Sequence, residues 1–307
     1  MSRIHEALKK AELERVSVYD DFAAPSAELQ RVAEARPENA PAVSMPSLAL
    51  PKIGATDPQP TLRFEDLQAR CVRQWQPNAA ANVFSPGLSA KAAEQFRTLR
   101  SRLYQLRTSQ PLKTLLVTSA ISGEGKTFLV TNLGHAIARQ AERRVLLIDA
   151  DLRRSQLHVA LGSPRSPGLS EYLRGAAGEM EAIQYSPESN LCIIAGGSEV
   201  SNPSELLSNG RLAKLLERVA PVFEWVIVDS PPSVPVADAS VLAEHCDGLV
   251  LVVRARMTPA AVLQKSLQEL QGRKIAGVVL NAVEEEALAY GYYHSDYVKD
   301  YVKETTA

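Results

Sequence analysis

TSAISGEGKTFLV, Thr118 to Val130, joins the end of an apolar run, LKTLLVTSA, to a helix-like stretch through a glycine-rich turn. The turn closes on Gly125-Lys126-Thr127. This is the pattern of a phosphate cradle, in which successive backbone N–H groups and a helix N-terminus converge on anionic oxygens. Lys126 can reach the β- and γ-phosphates, and the Thr127 hydroxyl can join the shell of a Mg²⁺. Ala120 stands where the usual G-x-x-x-x-G-K-(S/T) pattern has its first glycine, so the loop is a variant. A strand-to-helix turn that binds nothing would explain the glycines but not the acids downstream.

Those acids end two further apolar runs. VLLIDADLRR carries Asp149 and Asp151, two apart at a strand end, where both can face one side. WVIVDSPP carries Asp229 at its carboxyl end. Alone, each would pass for a helix cap or a turn residue. Following a phosphate loop, three strand-end carboxylates read as a nucleotide–Mg²⁺ site, because Mg²⁺ prefers oxygen ligands. Phosphoryl transfer then asks the protein for in-line positioning and charge neutralisation. A tyrosine acceptor has a pKa of about 10 and needs a base to take its proton. Asp149 and Asp151 are the candidates, with base and metal roles left undivided between them. Asn281 ends the last strand, where a turn-forming asparagine is a plain reading.

Around the loop, strands and helices alternate. Strands are expected at Leu112–Ala120, Arg144–Ala150, Leu191–Ala195, Trp225–Asp229, Gly248–Arg254 and Ile275–Leu280. Helices are expected at 89–107, Lys126–Gln140, Ser204–Val219, Val236–His245 and Pro259–Gln271. Val/Ile/Leu-rich strands of this kind are buried on both faces. The alternation predicts an α/β fold with a doubly wound, mainly parallel sheet and its ligand at the carboxyl ends of the strands.

Outside that unit the pattern fades. Residues 1–15 read as a short amphipathic helix. Residues 16–84 read as a Pro/Ala-rich linker, mostly disordered, with a transient helix around Phe64 to Trp75. The nucleotide domain is expected over 85–283, and a Tyr-rich tail over 284–307. The 307 residues carry a net charge of −1, so no nucleic-acid partner is expected. Three scattered cysteines and five histidines show neither disulfide nor zinc spacing, which suits a reducing compartment. No apolar run reaches the roughly 20 residues of a membrane helix, and the charged N-terminus is no signal peptide.

Taken together, Gly123-Glu124-Gly125-Lys126-Thr127, Asp149-Ala150-Asp151-Leu152-Arg153 and Asp229-Ser230-Pro231-Pro232 resemble the three nucleotide motifs of the bacterial tyrosine kinases, the BY-kinase family. NPSELL, Asn202 to Leu207, and PVADASVLA are similar to family segments as well. The resemblance runs from about Ser85 to Tyr301, with Ser122 where many members have proline. It implies an ATP- and Mg²⁺-dependent tyrosine autokinase of capsule or exopolysaccharide systems, with Lys126, Asp149 and Asp151 catalytic. Ser122, Gly123, Glu124, Gly125, Lys126, Thr127, Phe128, Arg153 and Asn281 would line the nucleotide, and Thr127, Asp151 and Asp229 the metal. Tyr290, Tyr292, Tyr293, Tyr297 and Tyr301 would accept phosphate. Glu94, Arg97 and Arg100 match the family's E-x-x-R-x-x-R subunit-contact motif; a solvated helix face is the plain alternative.

The same resemblance implies a ring-like homo-oligomer and a membrane-embedded activator of the chain-length-determinant, or polysaccharide copolymerase, type. It also implies a cognate tyrosine phosphatase, and a cytoplasmic enzyme held at the inner membrane face through its partner. Two rivals remain: a partition-type P-loop ATPase, which usually carries a lysine where this chain has Ile121, and a nucleotide-gated regulatory subunit with little turnover.

Overall fold

The computed structural model describes residues 61–87, 90–187 and 189–283. The helix expected over 1–15, most of the 16–84 linker and the 284–307 tail lie outside the described residues. Seven strands form one sheet: β1 Thr114–Ser119, β2 Val145–Asp149, β3 Ile183–Tyr185, β4 Leu191–Ile194, β5 Trp225–Asp229, β6 Gly248–Arg254 and β7 Ile275–Asn281. Their order is β3-β4-β2-β5-β1-β6-β7, parallel except for β3 against β4. Helices α1 Phe64–Arg70, α2 Ala90–Ser109, α3 Lys126–Ala138, α4 Leu157–Leu161 and α5 Leu169–Arg174 come first in the chain. They are followed by α6 Glu179–Ala182, α7 Pro203–Leu207, α8 Arg211–Val219, α9 Asp238–Ala243 and α10 Ala260–Glu269.

The two-faced burial of the strands divides the core into two layers. Leu115, Val117, Val145, Leu147, Ile227 and Val250 point toward α2 and α3, packing on Phe96, Leu129, Leu133 and Ile137. Their neighbours Leu116, Leu146, Ile148, Val226, Val228 and Leu251 point the other way, onto Leu169, Leu207, Leu215 and Leu242. Successive strand residues face opposite sides, so an unbroken apolar run feeds both layers. Among the described residues, no helix is long and apolar enough to cross a membrane.

Two elements depart from the sequence reading. The single helix expected over Ser204–Val219 is two, because Gly210 takes a left-handed φ of 77° and Asn209 accepts from the Arg211 amide. β3 is an added antiparallel edge strand, three residues long, too short to leave a period.

Residues from 61 onward, which the sequence places in the linker, pack on the domain. Phe64 and Leu67 of α1 are buried, as are Leu62 and Cys71. Phe64 sits edge-to-face with Tyr185 and Phe223, with ring centroids 5.7 and 5.9 Å apart. Cys71 and Arg73 exchange backbone hydrogen bonds with Tyr185, extending the sheet beyond β3. Phe64, Leu67 and Cys71, at i, i+3 and i+7, form the buried face of α1 and its C-cap, which lie within the stretch where the sequence predicts a transient helix, Phe64 to Trp75.

Candidate active site

The phosphate loop leaves β1 at Ser119 and re-enters regular structure at Lys126. Gly123 and Gly125 hold φ of 84° and 94°, the left-handed region that glycine occupies without strain. Gly125 is also crowded. A Cβ built there would lie 2.1 Å from Asn281 Nδ2, which donates to the Glu124 carbonyl at 2.8 Å. Thus Asn281, at the end of β7, ties down the loop backbone.

The Glu124 side chain turns inward and is fully buried. Its carboxylate accepts from the Ile121 amide at 2.7 Å, the Arg254 amide at 3.2 Å and the Thr258 hydroxyl. It props the loop from behind, so Glu124 could face a phosphate only through its backbone. Ser122 is exposed on the loop, and Phe128 stands 37% exposed against Phe96, with centroids 5.9 Å apart. Lys126 begins α3 and is 7% exposed.

β2 and β5 are neighbours, and their register places Asp149 directly opposite Asp229. Both are buried, at 0% and 1% exposure. Asp149 Oδ2 accepts from the Ser155 hydroxyl at 2.7 Å and the Leu157 amide at 3.0 Å. Asp229 Oδ2 accepts from the Thr127 hydroxyl at 2.6 Å. The Oδ1 atom of each is buried with no hydrogen-bond partner. Burial, then the charge of Asp149, pushes Asp229 up to about 8; burial pushes Asp149 up to about 6. A pair of carboxylates in such a place calls for positive charge. Asp151 lies beyond the strand end, half-buried, with Oδ1 accepting from the Arg154 amide at 2.9 Å.

These oxygens fit Mg²⁺: two orphaned carboxylate atoms and a threonine hydroxyl at the mouth of a phosphate loop. Among the described residues there is no cluster of three or more acidic, His or Cys side chains that could hold a metal by itself. Mg²⁺ does not ask for one; it commonly takes one or two carboxylates together with substrate phosphates and water.

Arg153, expected at the nucleotide, is engaged elsewhere. Its Nε donates to Asp238 Oδ2 at 2.8 Å and its Nη2 to the Ser204 hydroxyl at 2.9 Å. On α2, Glu94 and Arg97 form an exposed ion pair at 2.8 Å. Arg100 instead donates to the Ala136 carbonyl of α3 at 2.6 Å, so one member of the E-x-x-R-x-x-R motif already serves the subunit's own packing. The five tail tyrosines, Tyr290 to Tyr301, lie outside the described residues. Sequence reasoning passed over Ser155, Asp238 and Thr258; the roles of Asp238 and Thr258 appear only once Arg153 and Glu124 are brought beside them, while Ser155 is six residues from the Asp149 it bonds.

The CobQ/CobB/MinD/ParA nucleotide binding domain matches residues 115–295. The tyrosine-protein kinase YwqD of Bacillus subtilis is 34% identical over 204 residues, 66% of this chain and 86% of its own. CpsD of Streptococcus agalactiae, also a tyrosine-protein kinase, is 33% identical over 206 residues, 66% and 89% of the two chains. Etk of Escherichia coli is 37% identical over 204 residues, 66% of this chain but 28% of that longer protein. The solved kinase domain of E. coli Etk superimposes with a TM-score of 0.64 at 35% identity, over 69% of this chain and 83% of that one.

Proposed function

The chain belongs to the bacterial tyrosine-kinase family, and on that premise we propose that it moves the γ-phosphoryl group of ATP onto tyrosines of its own C-terminal cluster in a neighbouring copy. The observation that carries this reading is the facing pair Asp149 and Asp229, each with an orphaned buried oxygen, beside Thr127 of the phosphate loop.

Loop amides and Lys126 would hold the β- and γ-phosphates. Thr127 and Asp229 would hold Mg²⁺, which when bound neutralises charge on the transferring group. A tyrosine oxygen attacks the γ-phosphorus, the bond to the β,γ-bridging oxygen breaks, and ADP leaves. The phenolic proton passes to a carboxylate. Asp149 is fully buried, with one oxygen held by Ser155 and Leu157, whereas Asp151 is half-buried, which favours Asp151 as that base.

The family setting extends the proposal. The enzyme would work as a ring-like oligomer, regulate capsule or exopolysaccharide polymerisation and export, and answer to a membrane-embedded polysaccharide copolymerase. A cognate phosphatase would reset it, and that partner would bring it to the inner membrane face.

The fate of the γ-phosphate tests the reading. After incubation with γ-labelled ATP and Mg²⁺, label should sit on tyrosine. Label only in free phosphate would make the chain an ATPase, and label left on ATP a passive switch. Lys126→Met should abolish transfer with the circular dichroism spectrum unchanged; half of the wild-type signal in that variant would overturn the assignment.

A further inference from the structure

Two motifs remain without a task in this scheme: NPSELL at α7 and PVADAS at the start of α9. The fold brings one polar residue from each onto the D-x-D-x-R turn. Asp238, the first residue of α9, is 1% exposed, and both its oxygens are in use. Oδ2 accepts from Arg153 Nε at 2.8 Å; Oδ1 accepts from Arg153 Nη2 at 3.3 Å and from the Ser204 hydroxyl. Arg153 Nη2 also donates to Ser204 Oγ at 2.9 Å. Three segments, 34 and 51 residues away from Ser204 in sequence, thus meet at one guanidinium.

We propose that Asp238, with Ser204, is a positioning residue of the kinase centre: by clamping Arg153 it fixes the turn that carries Asp151 at the mouth of the phosphate loop. The deduction rests on the role given to Asp151 above. Within the turn, the Ser155 hydroxyl and the Leu157 amide are tied to Asp149, and the Arg154 amide to Asp151. The Ala150 amide donates to the Asp229 carbonyl at 2.8 Å and Leu152 is buried in the core, so the backbone on either side of Asp151 is held. The Arg153 guanidinium adds a side-chain anchor to a different element, α9, and its bidentate, charge-assisted bonding to a buried carboxylate is directional as well as strong. Ser204 orients the carboxylate from the first turn of α7. Asp238 touches neither loop nor facing carboxylates in this arrangement, so its influence on catalysis runs through Arg153.

The test uses the full chain with Lys126→Met protein as acceptor, γ-labelled ATP and Mg²⁺. Label on acceptor tyrosine and label in free phosphate are counted in the same samples. Asp238→Asn should lower kcat about ten- to a hundredfold, the scale of loss from displacing a reacting group by an ångström or so. The affinity for a fluorescent ADP analogue should change by no more than about twofold, since the loop is untouched. Ser204→Ala should give a smaller kcat loss in the same direction; it removes one bond at the rim and serves as the readout if Asp238→Asn unfolds. In a double-mutant cycle, Arg153→Ala with Asp238→Asn should be no slower than Arg153→Ala alone, because both act through one guanidinium.

An unchanged kcat, additive losses in the cycle, or an equal loss of nucleotide affinity would each overturn the clamp. A wild type that releases phosphate but never labels tyrosine would instead overturn the kinase reading, while the effect of Asp238 would still be read in phosphate release.

Discussion

The Thr127 hydroxyl lies 2.6 Å from Asp229 Oδ2, so the phosphate loop and the end of β5 are joined before any nucleotide is considered. That contact uses one carboxylate oxygen. The other faces no donor, across the sheet from Asp149. The site is thus assembled in shape but unbalanced in charge.

Asp229→Asn should separate those two properties. The amide oxygen can still accept from Thr127, but the charge is gone. Burial and Asp149 hold the native carboxyl at about 8, above its ordinary 3.8. A group raised in this way stabilises the fold fully below 3.8, and that contribution is lost as pH rises through about 8. At pH 8 without nucleotide, the Asn variant should therefore melt higher than wild type, while phosphoryl transfer falls and the Mg²⁺ requirement rises. Thermal melts from pH 5 to 9 and Mg²⁺ titrations of activity check this. A lower melting temperature at pH 8 would mean that burial does not disfavour the Asp229 carboxylate, and an unchanged Mg²⁺ titration would remove Asp229 from the proposed metal shell.

Gly125→Ala should cost the protein its nucleotide. The new methyl meets Asn281 Nδ2, and φ of 94° strains any L-residue by about 1–2 kcal/mol. Asn281→Ala removes a single hydrogen bond to the loop, a loss of about 1 kcal/mol, or roughly fivefold in affinity. Combining the two should not restore binding, because the backbone strain remains. Fluorescent-nucleotide titrations of the three variants decide it; wild-type affinity in Gly125→Ala would show that the loop tolerates a side chain there.

Much of this arrangement is legible in the sequence, for a physical reason. A parallel sheet is buried on both faces, so VLLID and WVIVD announce central strands, and the acids that end them fall at the carboxyl edge. Glycines at Gly123 and Gly125 announce the turn. What the sequence hides is set by tertiary contact. Glu124 reads as a loop residue; besides the local Ile121 amide, its inward carboxylate is held by Arg254 and Thr258, which the sequence places far away. Arg153 is expected to line the nucleotide, and the sequence does not show that α9 brings Asp238 beside it. Residues 61–84 look like linker because Phe64, Leu67 and Cys71 make only two turns of helical period, and the rest of the segment keeps none; they are held by contacts with Tyr185, Phe223 and Asn132 that lie far away in sequence.

His135 offers a test of the P-loop helix itself. It lies on α3, with Nε2 buried and unpartnered. Burial first, and the charge of Arg139 second, lower it to about 4. A depressed base stabilises the fold above its ordinary 6.5, and that contribution is lost as pH falls through about 4. Between pH 7.5 and 5 this amounts to about 2 kcal/mol lost by wild type and absent from His135→Phe. Urea unfolding at the two pH values gives the difference directly. If the variant keeps the full wild-type pH slope, His135 is not held neutral by burial.

Glu94 and Arg97 invite a cleaner interface test than the whole motif. As an exposed i, i+3 pair they stabilise the helix by about 0.2–0.5 kcal/mol, so losing both should leave folding intact. Arg100 is excluded, since its bond to Ala136 would confound assembly with stability. Glu94→Ala with Arg97→Ala should weaken self-association of the unphosphorylated protein in sedimentation velocity, with the melting temperature unchanged. Equal sedimentation at concentrations where wild type assembles would return the pair to an ordinary solvated face.

Five of the nine tyrosines fall between Tyr290 and Tyr301, where an even spread would put fewer than one. The last described residue, Val283, follows β7 directly, and Asn281 there is bonded to the phosphate loop. Six residues lie between Val283 and Tyr290, and the seven Cα–Cα steps can span at most about 25 Å. A tether that short, leaving a strand end bonded to the loop, does not by itself select transfer between copies. A mixture decides. Kinase with all five tyrosines changed to Phe is combined with Lys126→Met protein that keeps them. Label on the Lys126→Met partner, mapped by mass spectrometry to Tyr290–Tyr301, is the expected result. Each phosphate adds about −1.5 to −2 charge at pH 7, so several on one tail should also loosen the assembly that presented it. Neither protein labelled in the mixture, with wild type alone labelled normally, would make the transfer intramolecular. Label on Tyr19, Tyr104, Tyr172 or Tyr185 instead would move the acceptor out of the tail altogether.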